Sequence, residues 1–234
     1  MLAQDASLSP YEKIGFPDEY REGFEGAIFE DICKKIAPLN ASTRRVVDIG
    51  PGCSELPLML AKLCSERSHH LTWVDSPEML AHLPDAPFIN KVPAQFPHGC
   101  EALLEGYRDS CDVVVAYSVL HYVLPGNDIF TFFDTATSLL APGGVLLIGD
   151  IPNVSARKRF FASDRGRHYH QAFTASSDIP KVEFNVPEPG RIDDSVIVAL
   201  LMRGRAAGLH VYVVPQGEQL PMANRREDII VVKP

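Results

Sequence analysis

Short apolar runs of strand length alternate with helical patterns along most of this chain. The runs are Arg45–Ile49, Leu71–Asp75, Asp112–Tyr117, Val145–Gly149, Leu209–Val214 and Asp228–Val232, with a weaker one at Pro87–Val92. Between the early runs, apolar positions recur at helical spacing over Ser54–Glu66, Pro77–Leu83 and Ile129–Leu140. A further helix is expected over Arg191–Ala207. An amphipathic one is expected over Tyr20–Ile36, with Phe24, Ile28, Phe29 and Ile32 on one face. Alternation of helices with β-branched strands predicts an α/β fold: a doubly wound, mainly parallel sheet buried on both faces. The last two runs are separated only by residues 215–227, too short a stretch for a helical crossover, so they are expected to pair antiparallel.

The rhythm lapses from Ile151 to Gly190, where Pro, Arg, His and Phe accumulate. That is too long for an ordinary connection and predicts a lid-like insertion. The expected organisation is an N-terminal segment and helix over 1–43, a core over 44–150, the insertion over 151–190, and a helix and strand pair over 191–234 that complete the core domain. The chain has 234 residues, 46% hydrophobic and 22% charged, which fits a folded domain that needs no metal or disulfide.

Five cysteines, an odd number without a C-x-x-C pair, argue against a disulfide framework and a zinc cluster, so no metal site is expected. No run of about 18 apolar residues exists to span a membrane. Residues 1–20 lack the basic and apolar regions of a secretion signal, so a cytoplasmic location is expected by default. The net charge of -8 argues against general nucleic-acid binding.

The most informative stretch is Arg-Arg-Val-Val-Asp-Ile-Gly-Pro-Gly-Cys-Ser-Glu-Leu, residues 44–56. A buried strand runs into Asp48, Gly50 and Gly52, and a helix follows with Ser54 placed as its N-cap and Pro57 in its first turn. Glycines at such a turn let a ligand touch backbone beyond the carboxyl ends of the strands. A dinucleotide fingerprint would need a third glycine where Glu55 stands, and a carboxylate there repels a pyrophosphate, which counts against a nicotinamide-dependent oxidoreductase. Asp48 suits a cationic or amino-bearing ligand; the alternative is a tight turn with no ligand. The second strand ends in Asp75, where a carboxylate can accept both hydroxyls of a ribose.

Three further stretches join this one in order: Asp75-Ser-Pro-Glu-Met-Leu, Tyr117-Ser-Val-Leu-His-Tyr-Val, and Leu140-Ala-Pro-Gly-Gly. Together, over roughly residues 44–150 with a compatible tail at 191–234, they resemble the class I S-adenosylmethionine-dependent methyltransferases. That resemblance implies a seven-stranded Rossmann-like sheet whose last strand is antiparallel and inserted between its neighbours. It implies S-adenosyl-L-methionine as cofactor, with Asp48, Gly50, Gly52 and Cys53 around the methionine end and Asp75 on the ribose. Ser76, Met79, Gln95 and Phe96 would flank the adenine, and Tyr117, Ser118 and Leu120 would lie under the methionine portion. Where the family often carries an aspartate for the adenine amino group, this chain has Pro93. A non-catalytic protein that keeps the cofactor fold is the other alternative.

The start of the insertion is basic. Residues 156–170 contribute +4, leaving -12 for the rest of the chain. Arg157, Lys158 and Arg159, with His168 and His170, read either as a solvated helix face or as a clamp for an anionic acceptor, since guanidinium groups bind phosphate bidentately. Arg225 and Arg226 return near the same edge with the same two readings. These stretches also resemble methyltransferases of bacterial surface-polysaccharide pathways, which implies a nucleotide-linked or phosphorylated sugar as the small-molecule partner. An oxygen or nitrogen nucleophile would benefit from a general base. His121, just after the fourth strand, is the first candidate and Asp150, at the end of the fifth, is the second.

Overall fold

A computed structural model describes residues 2–126 and 128–234; Met1 and Asn127 lie outside the described residues. In chain order the elements are α1 (Pro10–Lys13), α2 (Glu25–Lys35), β1 (Arg45–Ile49), α3 (Glu55–Glu66), β2 (His70–Asp75), α4 (Pro77–Leu80), β3 (Ile89–Pro93), α5 (Glu101–Tyr107), β4 (Cys111–Tyr117), α6 (Leu120–Val123), α7 (Ile129–Ser138), β5 (Leu140–Pro152), α8 (Val154–Ala162), α9 (Asp164–Thr174), α10 (Asp194–Ala206), β6 (His210–Pro215) and β7 (Arg226–Val232). Seven strands form one sheet in the order β3-β2-β1-β4-β5-β7-β6. The first five are parallel, and β7 runs antiparallel between β5 and β6. This is the expected doubly wound architecture with its inserted antiparallel strand. No helix among the described residues is long and apolar enough to cross a membrane.

Side-chain alternation explains why the strands are apolar throughout. On β1 and β4, Val46, Val113 and Val115 face Ile28 and Ile32 of α2 and Leu60 and Cys64 of α3. Their neighbours Val47, Val114 and Ala116 face Phe132 and Phe133 of α7 and Leu200 of α10. Both faces of the sheet are covered, so a polar residue has no place until the carboxyl ends. The five thiols are free, and Cys64, Cys100 and Cys111 are buried as small hydrophobes.

Three local features differ from expectation. The Pro-Gly-Gly stretch is a bulge within a longer β5, because the β4 register slips between Cys111 and Val113, and β5 continues through Pro152. Ser54 has the backbone of an N-cap but makes no side-chain cap bond. The insertion contains two helices that no apolar period announces. α8 has no buried residue; it is started by Asn153, whose side-chain oxygen accepts from Ser155 and Ala156 N–H at 2.8 and 3.2 Å. α9 is capped in the same way by Ser163.

Candidate functional site

The carboxyl ends of β1, β2 and β4 open into a cavity of about 1010 Å³. Its floor is the loop after β1. Gly50 and Gly52 have φ of +68° and +69°, a region costly to other residues. A Cβ at Gly52 would lie 2.6 Å from Ile14 Cγ2, and one at Gly50 would lie 2.7 Å from Val119 Cγ2. One wall is Asp75, whose Oδ2 accepts from Gly52 N–H at 3.0 Å and whose Oδ1 accepts from Ser76 N–H at 2.7 Å. Ser76, Met79, Gln95 and Phe96 continue that wall, and Tyr117 and Ser118 form the opposite end. The Ser76 hydroxyl also caps α4. Of the twelve residues expected around a cofactor, nine line this one space.

Asp48, Cys53 and Leu120 lie outside its lining. Leu120 is buried in the apolar core, because α6 turns it inward. The Cys53 thiol points to Pro10 O, 3.9 Å away, under α1. Asp48 is buried beneath the loop among Leu56, Leu60 and Val115. Burial pushes its carboxyl up from the ordinary 3.8 to about 8, with help from the negative charge of Asp75. The native state therefore holds a proton that the unfolded chain has released between about pH 4 and 8, so stability falls as pH rises through that window. The slope is at most about 1.4 kcal/mol per pH unit. Asp48→Asn should lose less stability than the wild type between pH 5 and pH 8 in urea unfolding; parallel losses would refute this placement.

The roof of the cavity comes from the N-terminal segment. Ala3, Ile14, Gly15 and Phe16, from the segment before α2, lie over it. This segment is pinned by the Tyr122 hydroxyl, which donates to Ile14 O at 3.2 Å, and by a bond between the His82 ring and Ala3 O at 2.9 Å. Arg21, only 4% exposed, reaches in from the same segment. It donates to the Ser118 hydroxyl and, at 3.3 Å, to Asp150 Oδ2. Glu25, one helical turn on and 2% exposed, has no partner for either carboxylate oxygen among the described residues. Burial raises its pKa against the opposing pull of Arg21. Asp128 adds a carboxylate to the cavity beside His98, at 3.0 Å, on the side where Pro93 had left none.

Behind Ser118 lies a buried polar network. Ser118 and Asp150 both have left-handed backbone, φ +60° and +58°, at adjacent strand ends, and the Ser118 hydroxyl donates to Asp150. Arg226 Nη1 meets Asp150 Oδ2 at 2.7 Å. The Asp150 N–H donates to Asp228 Oδ1 at 2.8 Å, and Asp228 pairs with Lys35 at 2.7 Å. Gln216 joins the two aspartates and approaches the Tyr117 hydroxyl. Asp150 is thus fully engaged by the protein. His121 sits just outside the cavity lining, tilted against Tyr122 with ring centres 4.0 Å apart and edge-on to Phe16 at 6.3 Å. Its Nδ1 is buried and has no partner among the described residues. Burial, and next Arg226, lower its pKa to about 4, so the ring is neutral at pH 7.

The basic run Arg157–Arg159 of the insertion does not stand free. Arg157 makes two 2.8 Å bonds to Glu188, which also receives Lys158 at 3.4 Å. Arg159 pairs with Asp194. Arg157, Lys158 and His170 line a separate hollow of about 670 Å³ with Phe161 and Lys181. His168 lies exposed on α9 outside that lining. Arg225 lies over the rings of Phe161 and Tyr169 at 5.5 and 5.7 Å. Only Arg226, of the seven residues expected to hold an acceptor, joins the Asp150 network.

A family model described as a methyltransferase domain matches residues 20–179. Among solved structures, the CurJ carbon methyltransferase superposes with TM-score 0.58 at 16% identity, over 96% of this chain and 61% of that one. A SAM dependent methyltransferase from Aquifex aeolicus does so with TM-score 0.55 at 14% identity, over 96% and 98%. An O-methyltransferase family protein from Burkholderia thailandensis does so with TM-score 0.54 at 16% identity, over 99% and 66%. The chain therefore spans less than two thirds of the carbon methyltransferase and nearly all of the Aquifex protein. No curated protein matches the chain.

Proposed function

We propose, from the premise that this chain belongs to the class I S-adenosylmethionine-dependent methyltransferases, that it methylates an oxygen or nitrogen of a small anionic acceptor at the edge formed by β4 and β5. The observation that carries this reading is the continuity of the cavity. One space joins the Gly50–Gly52 loop and Asp75 to Arg21, Ser118 and Tyr122. The cofactor and the reacting end of an acceptor fit in it together.

The residues present suit the cofactor. Gly50 and Gly52 present bare backbone, and the Asp75 carboxylate faces the cavity where a ribose diol would donate to it. Glu25 is a buried carboxylate behind Ser54 and Arg21, outside the cavity lining, and its charge would favour an ammonium group on the cavity side of them. Arg21 would meet a carboxylate. When bound, S-adenosylmethionine supplies an electrophilic methyl group, which leaves with its bond to the acceptor lone pair while the sulfur keeps the old C–S electrons.

The protein then has two tasks: to hold the nucleophile in line and to take its proton. Ile14 and Phe16 cover part of the cavity from above. His121 is the candidate to take a proton, because its ring is neutral and Nδ1 is unpartnered among the described residues; the burial and cations that keep it neutral also make it a weak base until an anionic acceptor binds. Asp150 is committed to Ser118, Arg21 and Arg226, so it positions those groups rather than serving as the base. Nucleotide-linked and phosphorylated sugars carry the charge the site would select.

The test is a mass-spectrometric screen of phosphorylated, carboxylated and neutral metabolites with methyl-labelled cofactor. An acid-bearing acceptor should gain one methyl group. His121→Ala should then lower kcat by about 10²-fold, the low end for general-base catalysis. The affinity for S-adenosylhomocysteine should stay within about threefold of the wild type. Methylation of neutral acceptors only would overturn the anionic assignment, and an unchanged kcat would remove His121 from the reaction.

A further inference from the structure

The two edges of the sheet are built differently. β3, at one end, carries Lys91, whose ammonium reaches Leu83 O at 2.6 Å and Asp85 at 2.7 Å, and it ends in Pro93. Charge and proline keep an edge strand from pairing with another. β6, at the other end, reads His-Val-Tyr-Val-Val-Pro and has no lysine, arginine or carboxylate. Its Tyr212 and Val213 are exposed, and so are Val198 and Met202 of α10. Val198 and Met202 share a helical stripe with Arg205, whose guanidinium donates to Val211 O at 3.0 and 3.3 Å. That bond sets the apolar stripe beside β6.

Backbone parity fixes what this edge offers. Lys233, just past β7, donates its N–H to Gly144 O on the β5 side. Alternation then turns Val232, Ile230 and Asp228 toward β6, where His210, Tyr212 and Val214 stand opposite them. Val211, Val213 and Pro215 therefore turn their backbone groups away from the sheet, and the Arg205 bond to Val211 O agrees. Among the described residues, the unpaired groups of the edge are Val211 N–H, both groups of Val213, and Pro215 O. Val211 O is already taken, and Pro215 has no N–H to give. An ordinary strand added here would bring a donor to an occupied acceptor and a carbonyl to a missing donor.

We propose that β6 pairs with β6 of a second copy of this chain, antiparallel about a two-fold axis at Val213. In that register Val213 exchanges both backbone bonds with the partner's Val213. Val211 stands opposite the partner's Pro215, so its N–H donates to that carbonyl. The occupied acceptor of one strand meets the missing donor of the other, and no backbone group in the seam is orphaned. The edge has the same pattern read from either end, so the partial charges of two copies are complementary across the axis. An unrelated strand lacks these two matching defects. Tyr212 lies beside the partner's Val214, an aromatic and β-branched cross-strand pair, and Val198 and Met202 flank the seam. Among the described residues, the cavity lining includes none of β6 or α10, so each copy keeps its own site.

The test is sedimentation of the whole protein over a range of concentrations, with amide hydrogen exchange followed by NMR on the same samples. A dimer should form, and the Val211 and Val213 amides should exchange at least about tenfold more slowly in it than in the dilute monomer. Tyr212→Lys should raise the dimer dissociation constant at least about tenfold. Val213→Pro should abolish pairing while sparing the bonds to β7, because the N–H it removes points outward. Tyr212 is exposed, so its variant decides the matter even where Val213→Pro fails to fold. A chain that sediments as a monomer at every concentration would overturn the pairing. So would a dimer whose Val213 amide exchanges as freely as the monomer's, or one that Tyr212→Lys leaves unchanged.

Discussion

Asp150→Ala should destabilise the protein by about 3–5 kcal/mol, the range for removing one partner of a buried ion pair. Two guanidiniums share this carboxylate, and their side chains are only 4% and 9% exposed. Without it, Arg21 and Arg226 face each other with no compensating charge, and the Ser118 hydroxyl loses its acceptor. Alanine is also a poor occupant of a left-handed position, which asparagine tolerates. Asp150→Asn should therefore lose less than Asp150→Ala, while still leaving the cations unpaired.

The contrast lies on the surface. Arg159→Ala removes an ion pair whose side chains are about half exposed, and should change stability by at most about 1 kcal/mol. Urea unfolding of the three variants measures both effects. A loss below about 1 kcal/mol for Asp150→Ala would show that water reaches the network and that burial does not set its energetics.

Such a network has no signature along the chain. Arg21 meets Ser118 and Asp150 across separations of 97 and 129 residues. A polar residue at the end of an apolar run can be seen in the sequence; the polar residue it will meet cannot. The strands were legible because Val46, Val47 and Ile49 of β1 and Val113–Tyr117 of β4 are buried on one face or the other, so their apolar runs are dense. The Gly50–Gly52 loop and Asp75 were legible because the conformation and the charge sit at strand ends a fixed distance apart.

The insertion was legible only as an interruption. α8 is held by a cap and by ion pairs to Glu188 and Asp194, 31 and 35 residues downstream of Arg157 and Arg159. Its basic run therefore read as free charge, although each member already had a partner. The helix expected from Arg191 begins only at Asp194, where Asp193 caps it. The roof over the cavity belongs to no periodic element: Ile14 and Phe16 are held there by the loop and the Tyr122 hydroxyl beneath them.

Asp75→Ala should cost the largest share of cofactor affinity. The carboxylate has two oxygens, each already accepting one backbone N–H, from Gly52 and from Ser76. Each oxygen keeps a second lone pair, and Asp75 lines the cavity. A ribose diol donating to both would form two charge-assisted bonds, worth about 1.5–3 kcal/mol each. Their loss corresponds to roughly 10²-fold or more in Kd. Asp75→Asn keeps the shape but turns one acceptor into a donor aimed at a hydroxyl, so it should lose roughly tenfold or more.

The same change also releases Gly52 N–H from its anchor, so loop disorder is the competing cause of weaker binding. The two separate by stability. Asp75 is itself strained by burial, which raises its pKa, so its removal should leave the unfolding midpoint of the free protein near that of the wild type. Calorimetry with S-adenosylhomocysteine should then show the affinity loss in a protein of nearly unchanged stability. Unchanged affinity in Asp75→Ala would remove the ribose contact. A matching collapse of stability would assign Asp75 to holding the Gly50–Gly52 loop rather than to the cofactor.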